Sequence, residues 1–160
     1  MSIKNYDRNN AVIYAKKWAL VRNPNYYNFD KLGGDCTNFV SQCIFAGCNV
    51  MNYSKRNGWY YSSLNERSPS WTGVEFLFNF LTSNNSIGPF GKVTDMNSLQ
   101  LGDVIQLGKS NGTFYHAVII TDILNGNIYT SSHTLDSINR PVSSYKFDRI
   151  RYIHIDGIRI

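Results

Sequence analysis

Charge and cysteine are both in short supply in this chain. Only 17% of its 160 residues are Asp, Glu, Lys or Arg, and only three are Cys. All three thiols fall between Cys36 and Cys48, and an odd number is no disulfide framework. Cys36 and Cys43 would sit two helical turns apart, about 10 Å along the axis, which exceeds the reach of an S–S bond. Their spacing matches no zinc pattern, and no pair of the histidines has His-x-x-x-His spacing. The cysteines therefore read as free thiols, with no metal and no cofactor called for. No run approaches the ~20 apolar residues of a membrane span. The opening residues, Met1-Ser2-Ile3-Lys4-Asn5-Tyr6-Asp7-Arg8, lack a signal-peptide core. The chain is expected to stay in the cytoplasm or to be a domain of an exported precursor. The net charge is +5, but the basic residues are scattered apart from Arg149, Arg151 and Arg159. That is a solvated surface rather than a nucleic-acid footprint, with an anionic cell-wall polymer as the second reading.

What is present is an ordinary globule, 42% apolar and 14% aromatic. Its length suits one domain with a real core, taken as residues 1–160. Asp7 is placed to cap a helix reaching about residue 21, with Ala11, Tyr14, Ala15, Trp18 and Ala19 as its apolar stripe. A second helix is expected over 36–46, with Gly47 as its stop, and a third from about Ser70 to residue 83. Between them lies a long polar stretch, 52–70, read as one wall of a cleft. The second half changes character. Residues 104–107, 116–121, 128–132 and 150–155 are β-branched runs separated by Gly, Asn and Asp turns. Helices followed by an antiparallel meander make an α+β domain.

The chemistry concentrates at Gly33-Gly34-Asp35-Cys36-Thr37-Asn38-Phe39-Val40. A glycine pair and an N-cap type of acid lead into a helix whose first turn holds Cys36. Unpaired amides and the positive end of the helix dipole stabilise a thiolate, so the Cys36 pKa is expected to fall. Downstream, His116 opens a strand and His133 ends the next one. A thiol attacking a carbonyl needs a base and then an acid, and one imidazole can be both. A third polar group holds that imidazole in the useful tautomer. Cys36, His116 and His133 fit these roles in order, with Asp136 as the alternative third residue. Asp35, Asn38, Trp59 and Trp71 are candidates for the cleft. Asp103 reads as a turn residue and His154 as structural.

Gly33 to Gln42, then Gly102-Asp103-Val104-Ile105-Gln106-Leu107, then His116-Ala117-Val118-Ile119 resemble the bacterial putative amidase domain, a relative of the NlpC/P60 and CHAP cysteine peptidases. Tyr6-Asp7-Arg8, Trp18, Asn23-Pro24, Trp71-Thr72-Gly73, His133-Thr134 and Arg140-Pro141 extend the likeness over most of the chain. The resemblance implies a papain-like core, its nucleophile helix packed on an antiparallel sheet. It also implies hydrolysis of amides, with bacterial cell-wall peptides the usual target. By position it makes Cys36 the nucleophile, His116 the base and His133 the third polar residue. The departure is Thr37-Asn38, where the NlpC/P60 relatives usually carry Ser-Gly.

A second class of function is a non-catalytic cell-wall or peptide-binding module on the same fold. The same thioester chemistry without water would make a transpeptidase or acyltransferase. The partner expected from either reading is a peptide or amide, with no nucleic acid and no membrane span.

Overall fold

A computed structural model describes residues 1–160. Strand β1 (Ile3–Lys4) and helix α1 (Arg8–Trp18) come first, then the central helix α2 (Cys36–Cys48). A hairpin, β2 (Tyr61–Ser63) and β3 (Glu66–Arg67), precedes the short α3 (Pro69–Thr72) and α4 (Val74–Ser83). The sheet strands follow: β4 (Gly88–Thr94), β5 (Val104–Gly108), β6 (Phe114–Leu124), β7 (Asn127–Ser132), β8 (Ser137–Pro141) and β9 (Arg149–Arg159). Seven of these strands form one antiparallel sheet, ordered β1-β9-β5-β6-β7-β8, with β4 also on β9. Tyr152 pairs with both Ile105 and Thr94, while Ile158 pairs with both Lys4 and Pro89. The long β9 is thus flanked by β4 on one edge and by β5, then β1, on the other. This is the expected α+β architecture. No helix is long and apolar enough to cross a membrane.

Strand alternation divides the sheet into two faces. Ala117 and Ile119 of β6 join Phe39, Val40, Cys43 and Ile44 of α2 in the main core. Val118 and Ile120 turn the other way, to Ile105, Leu107 and Ile128, under Tyr145 and Tyr152. Helix α2 is buried nearly all round, its polar Thr37, Asn38, Ser41 and Gln42 included. Trp59 and Trp71 lie against its outer side, 4.7 Å apart between ring centroids. The Trp59 indole N–H donates to Ser41 Oγ, which donates in turn to the Trp71 carbonyl.

Several element ends differ from the sequence reading. Gly47 does not stop α2; a Cβ there would lie 2.7 Å from the Asp7 carbonyl and inside the Tyr6 ring. It is glycine so that α2 can approach the start of α1. The cap is Asn49, left-handed at φ 53°. Asp7 does cap α1, accepting from the Asn10 N–H at 2.9 Å. The third helix is broken at Gly73, whose extended backbone separates α3 from α4. Strands β4 and β8 carry little strand pattern in the sequence, because Gly, Pro and Asn dilute their β-branched signal. The 52–70 stretch is partly ordered by β2–β3 and is closed by an Asn52–Trp59 bridge.

Asp103 ties the two halves together. Its buried carboxylate accepts from Arg8 Nη1 at 2.7 Å, His154 Nδ1 at 2.8 Å, and the N–H groups of Gln100 and Ile155. Asp103 and His154 are therefore engaged in packing α1 onto β9.

Candidate active site

The site begins at the turn into α2. Gly33 and Gly34 take φ of 88° and 101°, which glycine alone reaches freely. Asp35 follows with its carboxylate buried, but it does not cap the helix. Its backbone (φ −104°, ψ 1°) turns the side chain sideways. There it accepts from the Phe29 N–H at 2.8 Å, Asn38 Nδ2 at 2.9 Å and His133 Nδ1 at 2.5 Å. Burial pushes the Asp35 carboxyl up, but the bonds from His133, Phe29 and Asn38 outweigh it and hold it below its ordinary value. The first N–H of α2 with a backbone partner is that of Phe39, which donates to the Asp35 carbonyl. No backbone carbonyl accepts from the N–H groups of Cys36, Thr37 and Asn38 at the helix start, and that of Thr37 faces the Cys36 sulfur.

Cys36 comes up to the open edge of β6. Ile120 turns its backbone N–H and carbonyl toward the β5 side, bonding Asp103 and Gly102. By alternation Ala117 faces the β7 side. Ser131 of β7 pairs with Ile119, and β7 ends at Ser132. The Ala117 N–H is thereby left facing the Cys36 sulfur, and it favours the thiolate, as do the Thr37 hydroxyl and N–H. The nucleophile candidate thus lies against the peptide that joins His116 to Ala117. His116, opposite Leu107, projects to the outer face beside the Tyr145 ring, with centroids 5.8 Å apart.

Both groups are withdrawn from water, Cys36 to 6% and His116 to 8% exposure. Burial pushes the Cys36 thiol above its ordinary value, and the three hydrogen-bond donors do not overcome it. The expected fall is therefore reversed, because desolvating the sulfur costs more than the helix start returns. His116 is pushed down to about 4, first by burial and second by the Arg140 cation. At neutral pH Cys36 rests as a thiol and His116 as a neutral imidazole, and no hydrogen bond joins the two side chains. The imidazole nitrogens make no hydrogen bond within the protein. Arg22 Nε is the one enclosed side-chain nitrogen or oxygen without a partner, so the His116 nitrogens keep contact with solvent.

His133 is not brought to His116. Its Nε2 lies 2.7 Å from the Trp18 carbonyl and its Nδ1 is on Asp35, which commits both ring nitrogens. Its ring stacks on Phe39 at 4.1 Å. Asp136, the alternative, is held by Arg22 at 2.8 and 2.9 Å. Arg22 also bonds Asp30 at 2.8 Å and brings its Nε to 3.3 Å from Asp35. Both candidate third residues thus belong to a network under the start of α2.

Asn38, Trp59 and Trp71 are buried and line none of the main surface cavities. Asn38 is occupied by Asp35, the Tyr27 carbonyl and the Trp71 indole N–H. The four main surface cavities, of about 470 to 580 Å³, are not lined by Cys36 or His116. One of them, bounded by Tyr115, Tyr145 and Phe147, adjoins the His116 ring. Arg22, Tyr145 and Arg140 were missed from sequence. Nothing local marks them, since each acts on a residue distant in the chain.

Comparison with known proteins bears on the chemistry. Residues 5–155 match the family model described as "Putative amidase domain". Over 136 residues the chain is 34% identical to the uncharacterized protein YhbB of Bacillus subtilis (strain 168), covering 82% of this chain and 42% of that protein. It is 30% identical over 149 residues to the uncharacterized protein YjcM of the same organism, covering 88% of this chain and 34% of that one. The chain spans less than half the length of either relative. No solved structure matches it significantly. With the family model covering nearly its whole length, the chain belongs to the putative amidase domain family.

Proposed function

We propose that the protein is a cysteine-dependent amidase or peptidase on a papain-like core, with Cys36 as nucleophile and His116 as general base and acid. The observation that carries this reading is the approach of Cys36, at a helix start whose first N–H groups have no backbone acceptor, to the His116–Ala117 peptide of β6. As the sulfur attacks an amide carbonyl, the His116 imidazole takes the thiol proton. The resulting oxyanion is stabilised by the Cys36 N–H. The imidazolium gives its proton to the leaving amine, and a thioester remains. Water then attacks with His116 as base, releasing the acid and restoring the thiol. The low exposure of both groups suits a neutral resting pair, because no buried ion pair has to be maintained.

Peptide stems of the bacterial cell wall are the proposed substrate class. Incubating the protein with muropeptides and simple peptide amides, and following amine release, tests the reading. Turnover that is abolished in Cys36→Ala and His116→Ala, with a thioester trapped on Cys36 by mass spectrometry, supports it. Unchanged turnover in Cys36→Ala would overturn it. Binding of muropeptides without turnover would favour the binding module.

A further inference from the structure

The Asp35–His133 contact has a proton count that can be read from its partners. A backbone carbonyl only accepts, so the 2.7 Å contact to Trp18 requires a proton on His133 Nε2. Asp35 accepts from the Phe29 N–H and Asn38 Nδ2 and has the Arg22 cation 3.3 Å away, which suits an ionised carboxylate. The 2.5 Å contact between Asp35 and His133 Nδ1 then requires the second ring proton as well. Two further features favour a cation here. The ring lies flat on Phe39, an aromatic face that attracts positive charge. The Trp18 carbonyl belongs to the C-terminal end of α1, the negative end of its dipole. The other charges nearby are Arg22 with its partners Asp30 and Asp136, and Lys16 and Lys17 in the last turn of α1.

We infer that His133 is held as an imidazolium between the Asp35 carboxylate and the Trp18 carbonyl, and that this clamp positions Cys36 rather than His116. Asp35 is the residue before Cys36, and its carbonyl accepts the first backbone bond of α2, so fixing Asp35 fixes the direction in which Cys36 leaves the turn. The clamp joins three separate elements: the end of α1, the start of α2 and the end of β7. His133 is a positioning residue in this assignment, and its catalytic consequence rests on the amidase reading. Its protonation does not.

The test has two arms. In the first, the full chain is labelled with ¹⁵N at histidine, and long-range ¹H–¹⁵N correlations are recorded at pH 7. His133 should show two protonated nitrogens, and Asp35→Asn should remove that signature. A neutral-tautomer pattern for His133 in the wild type would overturn the inference. In the second arm, His133→Gln retains one donor but cannot span both partners. It should lower kcat roughly 10–100-fold, as a small misplacement of a reacting group does, with KM and the acid limb of the pH profile unchanged. It should also speed hydrogen exchange of the Phe39 N–H. A shifted acid limb would mean that His133 acts on His116, against the clamp. If the wild type shows no turnover, the amidase reading fails, while the spectrum and the exchange rate still decide the clamp. If His133→Gln does not fold, the wild-type spectrum alone decides it.

Discussion

Nδ1 of His133 lies 2.5 Å from Oδ2 of Asp35, across 98 residues of chain. The acid at the head of α2 and the histidine at the end of β7 are therefore partners. Cys36 and His116, the proposed nucleophile and base, lie outside this contact, and His116 has no protein hydrogen bond on its imidazole. That arrangement sets how the site should respond to pH and to substitution.

The acid limb of kcat/KM should lie near pH 4, because His116 is pushed down to about 4 and remains a base above that value. Arg140→Gln removes a cation that repels the imidazolium, so the limb should move toward higher pH. A profile centred near the ordinary histidine value, unmoved by Arg140→Gln, would contradict the buried placement of His116.

Alkylation by iodoacetamide should be slow at neutral pH for all three thiols and should quicken above pH 9. Cys36 is raised and barely exposed, Cys48 is pushed up to about 12, and Cys43 lies well above the ordinary range, each by burial. Peptide mapping should find the order Cys36, Cys48, Cys43. Fast labelling of Cys36 at pH 7 would show that substrate-free Cys36 is ionised after all.

Acid should destabilise the fold through His116. Its folded pKa, about 4, lies below the ordinary 6.5, so the unfolded chain binds more protons between these values. Stability therefore falls as pH drops through that window, by ~3 kcal/mol at 1.36 kcal/mol per unit. Asp35 has the same sign; its contribution is present above the ordinary carboxylate value and is lost as pH falls through its lowered folded value. Urea unfolding of His116→Gln should show a shallower loss between pH 6.5 and 4 than the wild type.

Gly47→Ala should cost ~2–3 kcal/mol in denaturant unfolding. Its methyl group would press on the Asp7 carbonyl and the Tyr6 ring, and overpacking against backbone is relieved only by moving α1. An unchanged midpoint would mean that α1 and α2 are less closely held than their contact implies.

The α+β order, the helix that presents Cys36, and the strand that presents His116 were all legible along the chain. Each follows from local chemistry: 3.6-residue and two-residue periodicity, a glycine pair before an acid, and Asn-Gly at the β6–β7 turn. Tertiary structure decided the partners. Asp35 is an N-cap by type, yet its carboxylate goes to His133, because β7 delivers that ring to the turn. Cys36 is a thiolate candidate by its place on a helix, yet its sulfur is raised, because sheet and helix together exclude the water that would stabilise charge. Trp59 sits in a polar stretch of sequence and Trp71 just after it, yet both are core, because they cover the side of α2 that carries Asn38 and Ser41 and donate to those two side chains. Local pattern carries conformation. Solvation and long-range pairing, which set the protonation of Cys36, His116 and His133, exist only once the chain has closed on itself.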